Sequence, residues 1–418
     1  MGSILTVIKN RTVLEIVVFA WIVIAVCYLM HTPVGVRSHD FTGHLEYTKI
    51  IVNQHRLPFP NEGWQTYHPP LYYLIDSFIT PESLNRDCHV NYVRMVSVLY
   101  GLIALIIIFL VLQRVVENPF NKLLILLFLL TTPKFVFVFS TYNNDSLATL
   151  LGISMIALSY SLFQSFDKWK AVLLVAVTTA GLYTKYTMVF CIATIVGVVL
   201  VKNIKNLKEP NIKKLLILFF LSILLFIPYL VLHNLHYSGM FFPSNTDSAI
   251  KCLSIGELSR GLKLIIAPFS LVTTNQWLDP WAFGAHTKQW DFWAFVFVTS
   301  VLGEYIFFTP SPNIAFYLLW INLAINIIAI KEIFRSDFTK LVGLAIFFCY
   351  LSLIAFTFHA PVGGCTMDFR YIAWSWILWS ILYASAVSQE NSILSKILNK
   401  LLIVGIIINV YFLLTCSN

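Results

Sequence analysis

Asp40 and His44 stand four residues apart, so a helix starting near Ser38 sets both on one face, with Tyr47 a turn further along. Phe41, Leu45 and Val52 form a separate apolar stripe on that helix. A carboxylate so placed can take a proton from a hydroxyl, or it can serve only to cap or charge-stabilise the helix start. Downstream, Pro69-Pro70 breaks the chain and suits the first turn of a helix over Leu71-Tyr72-Tyr73-Leu74-Ile75. Beside the prolines, Tyr67 and His68 can meet a substrate or brace a loop. Asn143-Asn144-Asp145-Ser146 fits ligand binding, but turn chemistry and capping account for it equally well. Two cations, Lys185 with Tyr186 behind it and Arg370 with Tyr371, sit at the ends of long apolar segments.

The elements that must position these groups are membrane helices. The chain has 418 residues, 58% hydrophobic and 11% charged, with a mean hydropathy of +0.78. A soluble domain carries roughly 25% charged residues, so a soluble protein is excluded. Apolar runs of spanning length occur at 12–30, 90–113, 123–140, 146–164, 214–233, 313–330, 341–358, 370–388 and 401–416. The apolar stretch 171–201 is too long for one span and carries Gly181, Thr184 and Lys185 near its middle. It reads as two short helices meeting at a tip, which brings the expectation to about eleven spans.

The net charge of +8 is largely topological. With a cytoplasmic N-terminus, the inside segments collect Lys9 and Arg11, Arg114 and Lys122, Lys168 and Lys170, the lysines from 202 to 214, Lys331 to Lys340, and Lys396 with Lys400. Two long outer loops, 31–89 and 234–312, then carry surface helices. The start of the chain has a basic beginning and an apolar run without a small-residue cleavage site, so it reads as a retained first span. No repeat or linker divides the chain, and 1–418 reads as a single transmembrane domain.

On this topology the polar candidates gather at the outer ends of the spans: Asp40, His44, Glu46, Tyr67, His68, Arg94, Lys134, Asn143, Asn144, Asp145, Lys185, Tyr186, Asp368, Arg370 and Tyr371. Lone cations there need an anion, and a lipid phosphate would supply one, the arginine as a fork and the lysine as a compact charge. Snorkelling to ordinary headgroups is the bland alternative. A transporter or flippase of lipid-linked sugars is the rival reading; it would place ionisable groups near the bilayer midplane and show related halves.

The run from His39 to Tyr47, Leu57-Pro58, and the stretch Gly63-Trp64-Gln65-Thr66-Tyr67-His68-Pro69-Pro70-Leu71-Tyr72-Tyr73 resemble the GT-C membrane glycosyltransferases, specifically the protein O-mannosyltransferase and aminoarabinose-transferase-like group. Arg94 with Ser97, Asn144-Asp145, Thr184-Lys185-Tyr186 and Arg370-Tyr371 add weaker matches. The resemblance implies a GT-C fold and a polyprenyl-phosphate-linked sugar donor entering from the membrane. The implied acceptor is a hydroxyl of a protein, lipid or glycan. It also implies Asp40 as catalytic base, with Lys185, Arg370 and Arg94 at the departing phosphate. The family often has a second carboxylate beside the catalytic one. Phe41 stands there instead, so Glu46 or Asp145 would have to substitute. Cations at the phosphate would make an obligatory metal unnecessary, and no other cofactor is implied.

Lys, Ile, Asn and Phe abundance suggests a bacterial inner membrane with a periplasmic site, or the endoplasmic reticulum in a eukaryote. Of the seven cysteines, Cys88, Cys252 and Cys365 fall on the outer side, where a disulfide is possible. Trp277, Trp281, Trp290 and Trp293, with Phe242, Phe283 and Phe292, suit the membrane interface or sugar stacking and are expected to roof the site.

Overall fold

The computed structural model describes residues 2–34, 40–79, 86–202, 210–243, 292–303, 312–359, 366–389 and 392–416. Among them the regular structure is helical throughout. In chain order the helices are α1 (Gly2–His31), α2 (Phe41–Gln54), α3 (Leu71–Ile79), α4 (Arg86–Leu112), α5 (Pro119–Thr131), α6 (Pro133–Ser140), α7 (Asp145–Gln164), α8 (Lys168–Thr184), α9 (Met188–Lys202), α10 (Pro210–Tyr229), α11 (Phe292–Val301), α12 (Pro312–Ile330), α13 (Asp337–His359), α14 (Trp376–Val387) and α15 (Ile393–Cys416). A π-helical turn, Leu230–Leu235, prolongs α10 just after Pro228, and a 3-10 turn, Phe369–Ser375, precedes α14.

Seven helices among the described residues are long and apolar enough to cross a membrane, or eight if α5 and α6 form one broken span. Phe19, Phe220, Leu232 and Ile407 each leave more than half of their surface uncovered. Such side chains suit lipid rather than water, and the chain is an integral membrane protein. The structure revises three expectations. The span over 123–140 is bent by 64° between α5 and α6, because Pro133 cannot donate to the helix ladder and the chain restarts there. The span expected over 370–388 is a 3-10 turn followed by a twelve-residue helix. In the stretch expected as an outer loop, α11 is an apolar helix whose Phe292, Phe295 and Val298 are buried. The expected hairpin does form, as α8 and α9 with their break at Lys185.

Contacts cluster into two compact units. The first comprises Met1–Thr32, Leu105–Val138 and Asp247–Asn418. Its core is built on α5, which packs on α1, α14 and α15. Trp21 meets Phe135 edge-on at 5.4 Å, and Asn121 Nδ2 donates to the Val387 carbonyl at 3.1 Å. Gly405 permits close approach of α15 to α5, since a Cβ there would lie 2.8 Å from the Phe128 ring.

The second unit comprises Pro33–Ala104 and Phe139–Thr246. Here α7 packs on α8 and α9, α8 on α10, and α2 on α3. As the prolines promised, α3 starts directly after Pro69-Pro70, with Leu74 N–H donating to the Pro70 carbonyl at 2.9 Å. Its Tyr72, Tyr73 and Asp76 are buried against the α2 face carrying His44, Tyr47 and Thr48. The helix expected from Ser38 begins at Phe41; residues 35–39 lie outside the described residues, as do Trp277, Trp281, Phe283 and Trp290. The disulfide expectation also falls there, for Cys252 and Cys365 and for the side chain of Cys88.

Candidate functional site

Asp40 immediately precedes α2 and is half-buried. Its carbonyl accepts from the N–H groups of Gly43 (3.1 Å) and His44 (3.2 Å), while its side chain makes no capping bond to the helix. Capping therefore does not explain this carboxylate. Trp64 approaches it, with Nε1 3.4 Å from Oδ1. That approach depends on Gly43, where a Cβ would lie 2.6 Å from Gln65 Cγ and 3.0 Å from Trp64 Cδ1.

One turn on, His44 Nδ1 is 2.7 Å from the Tyr73 hydroxyl, and its ring lies parallel to that of His68 at 6.2 Å. Tyr47 stacks on Tyr73 at 3.8 Å and donates to the His68 carbonyl at 3.2 Å. Tyr67 leans on the His68 ring at 4.1 Å. Burial pushes the Tyr47 and Tyr73 phenols well above their ordinary range; for Tyr73 neighbouring tyrosines and Asp40 push in the same direction. Both stay protonated donors, and the histidine pair is held in place by neutral hydroxyls. Glu46 points elsewhere: it is exposed and its carboxylate crowds Gly63. It lines an open groove of about 640 Å³ with Thr42 and Lys49 on the outer face of α2.

The turn between α6 and α7 forms the other half of this site. Arg94, 3% exposed, donates from Nε to the Ser140 carbonyl at 3.0 Å. Ser97 Oγ lies 3.1 Å from Ser146 Oγ, Asn143 Oδ1 accepts from Asp145 N–H at 2.8 Å, and the Tyr142 hydroxyl donates to Asp76. Thus pinned, the turn presents Asp145, whose Oδ1 accepts from Lys185 Nζ in a buried ion pair. The other Asp145 oxygen and both polar atoms of Asn144 have no hydrogen-bond partner among the described residues, although Asn144 is only 1% exposed. Asn144 occupies the cap position of α7 without making a side-chain capping bond, so helix capping explains neither residue. Buried polar atoms left open in a turn call for partners that the described protein groups do not supply. Ser140 Oγ lies open in the same turn.

Lys185 is therefore not the lone cation expected from sequence; Asp145 meets it. Burying an ammonium without a counter-charge would cost several kcal/mol, roughly what breaking a buried pair costs. Tyr186, next in the chain, accepts from Asn234 Nδ2 at 2.6 Å.

Arg370 and Tyr371 belong to the first unit. There Lys134 Nζ donates to Asp368 Oδ1 at 2.8 Å, and the same oxygen caps the 3-10 turn by accepting from Arg370 N–H at 2.7 Å. Burial pushes the Asp368 carboxyl up, but Lys134 and Arg370, through charge and hydrogen bonds together, override it and hold the group below its usual range. Arg370, also expected to be alone, thus has Asp368 beside it; its guanidinium lies over the Tyr371 ring at 5.1 Å.

The sequence reading missed Asp76, Thr48, Tyr73 and Tyr142. A single carboxylate in the apolar run of α3 was the available signal for Asp76. Among the described residues, no three His, Cys, Asp or Glu side chains cluster as metal ligands would.

A family described as dolichyl-phosphate-mannose-protein mannosyltransferase matches residues 67–232, which carry His68, Arg94, Asn144, Asp145 and Lys185. No curated protein matches. A crystal structure of the Archaeoglobus fulgidus oligosaccharyltransferase, tethered through a disulfide to an acceptor peptide containing the NVT sequon, is similar with a TM-score of 0.53 and 13% identity. The match covers 98% of this chain and 54% of that one, so the chain spans about half its length. At that identity the likeness is one of fold.

Proposed function

We propose, from the premise that the chain has the GT-C fold of membrane glycosyltransferases, that it moves a sugar from a polyprenyl-phosphate carrier to an acceptor hydroxyl. The active side would be the periplasm of a bacterial inner membrane, or the lumen in a eukaryote. The reaction is a direct displacement. The acceptor oxygen forms a bond to the anomeric carbon, the bond from that carbon to the phosphate oxygen breaks, and the acceptor proton passes to Asp40. Lys185 stabilises the charge that grows on the departing phosphate. Its ammonium has three donors, so the bond to Asp145 leaves capacity for a phosphate oxygen. Asn144 and the open oxygen of Asp145 hold donor hydroxyls, and His44 and His68 line the approach. With Lys185 at the phosphate, the scheme calls for no obligatory metal.

The observation that carries this reading is the pinned turn, with an unfinished Asp145–Lys185 pair and an open Asn144 amide in the same unit as Asp40. Detergent-purified protein and Asp40→Asn are incubated with radiolabelled polyprenyl-phosphate sugars, and sugar leaving the carrier is followed. Turnover by the unaltered protein, lost in folded Asp40→Asn, is the expected result. Full activity in Asp40→Asn would remove that residue from the chemistry. No turnover with any carrier sugar would favour a transporter.

A further inference from the structure

Asp76 lies on α3, 2% exposed, and plays no part in the chemistry above. Its Oδ2 accepts from Thr48 Oγ1 at 2.6 Å and from the Tyr142 hydroxyl, and those two hydroxyl oxygens are themselves 2.9 Å apart. The three groups close a triangle. Each comes from a different element: Thr48 sits one helical turn beyond His44 on α2, Asp76 in the second turn of α3, and Tyr142 two residues before Asn144. Burial, then the field of Asp76, pushes the Tyr142 phenol well above its ordinary range, so it remains a donor.

A buried carboxylate is an expensive way to fix two helices and a turn, since an apolar contact of the same size would give comparable stability. What the carboxylate adds is directional: one of its oxygens accepts two O–H bonds and so fixes the distance and angle between their donors. Among the described residues this is a direct polar link between the helix that starts at Asp40 and the turn that bears Asn144 and Asp145. We infer that Asp76 is a positioning residue, which sets the Asn144-Asp145 turn against the Asp40 end of α2 through Thr48 and Tyr142. This rests on the proposed transfer reaction for its kinetic consequence, though not for its structural one. Misplacing reacting groups by about 1 Å costs on the order of a hundredfold in rate, so a modest drift of the turn is readable.

The test compares Asp76→Asn, Tyr142→Phe and the double variant in detergent-purified protein. Two readouts are taken: kcat and donor KM for the labelled carrier sugar, and hydrogen exchange of the backbone across 140–146. The expected result is a loss in kcat of about tenfold or more in each single variant, with donor KM nearly unchanged and no further loss in the double, because all three cut one link. Exchange should rise across 140–146 and stay unchanged in α5, which belongs to the other unit. Folded variants with unaltered kcat, losses that multiply in the double, or exchange that rises throughout would overturn the inference. If the unaltered protein transfers no sugar, the reaction reading fails, and exchange alone decides. A rise confined to 140–146 then supports the link, and no rise removes it. Should Asp76→Asn not fold, Tyr142→Phe carries the same comparison.

Discussion

Among the described residues each unit contains one buried lysine–aspartate pair, and the two are finished differently. In the first unit Lys134 is fully buried, and Asp368 Oδ1 serves both it and the N–H of Arg370. Gly303, at a φ of +60°, brings backbone against the lysine, where a Cβ would lie 2.9 Å from Lys134 Cδ. That pair closes a 3-10 turn onto α6. In the second unit Lys185 and Asp145 are as deeply buried, yet the pair itself keeps one buried carboxylate oxygen, and the neighbouring Asn144 its whole amide, without a hydrogen-bond partner among the described residues; in the first unit open buried atoms such as Trp374 Nε1 and Ser375 Oγ lie further along the 3-10 turn and not on the pair. A buried ion pair alone thus says little about function. On the proposed function, the unsatisfied remainder of the second pair is what separates a binding site from a fastening.

The sharpest way to break this comparison is to neutralise each pair whole. Lys185→Met/Asp145→Asn should cut sugar transfer by about a hundredfold or more, the scale of losing one preorganised charge at a developing anion. Lys134→Met/Asp368→Asn, which keeps the cap, should transfer at nearly the original rate; transfer assays on both purified proteins check this. Next in size, breaking the first pair from one side only, in Lys134→Met, should cost roughly 3–5 kcal/mol of stability by leaving a buried carboxylate without its lysine. Restoring neutrality with Asp368→Asn should recover most of it, as read by thermal unfolding in detergent.

Acid sharpens the same contrast. The Asp368 carboxyl is held below its usual range in the folded protein, so its stabilising contribution is complete above the unfolded value of about 3.9 and is lost as pH falls through the lower folded value. The midpoint of unfolding should therefore drop more steeply below about pH 4 in the unaltered protein than in Lys134→Met/Asp368→Asn. Last and smallest, Arg370→Met should lower the midpoint of unfolding slightly, since it removes a guanidinium that lies over the Tyr371 ring and in the field of Asp368. An unchanged midpoint would leave the turn to Lys134 and the backbone cap.

The sequence made the membrane helices and the prolines legible, because hydropathy and the loss of an N–H are local properties. The break of α8 and α9 at Lys185 was readable for the same reason, since a thirty-residue apolar run is too long for one straight span. Partnerships were not readable. Lys185 finds Asp145 from 40 residues away and Lys134 finds Asp368 from 234 away, and nothing in a one-dimensional charge pattern pairs them. Asp76 was passed over because it stands in an apolar run without a motif; its meaning lies in Thr48 and Tyr142, which only packing brings to it. The kink at Pro133 is not legible in hydropathy, which runs unbroken through it.

The central claim is that the unfinished pair receives the lipid phosphate while the finished pair does not. Polyprenyl phosphate is titrated into the unaltered protein, Lys185→Met/Asp145→Asn and Lys134→Met/Asp368→Asn, and the unfolding midpoint is followed. Saturable stabilisation is expected in the first and third and absent from the second, since a ligand stabilises only the fold that binds it. Stabilisation that survives in Lys185→Met/Asp145→Asn and disappears in Lys134→Met/Asp368→Asn would contradict the account.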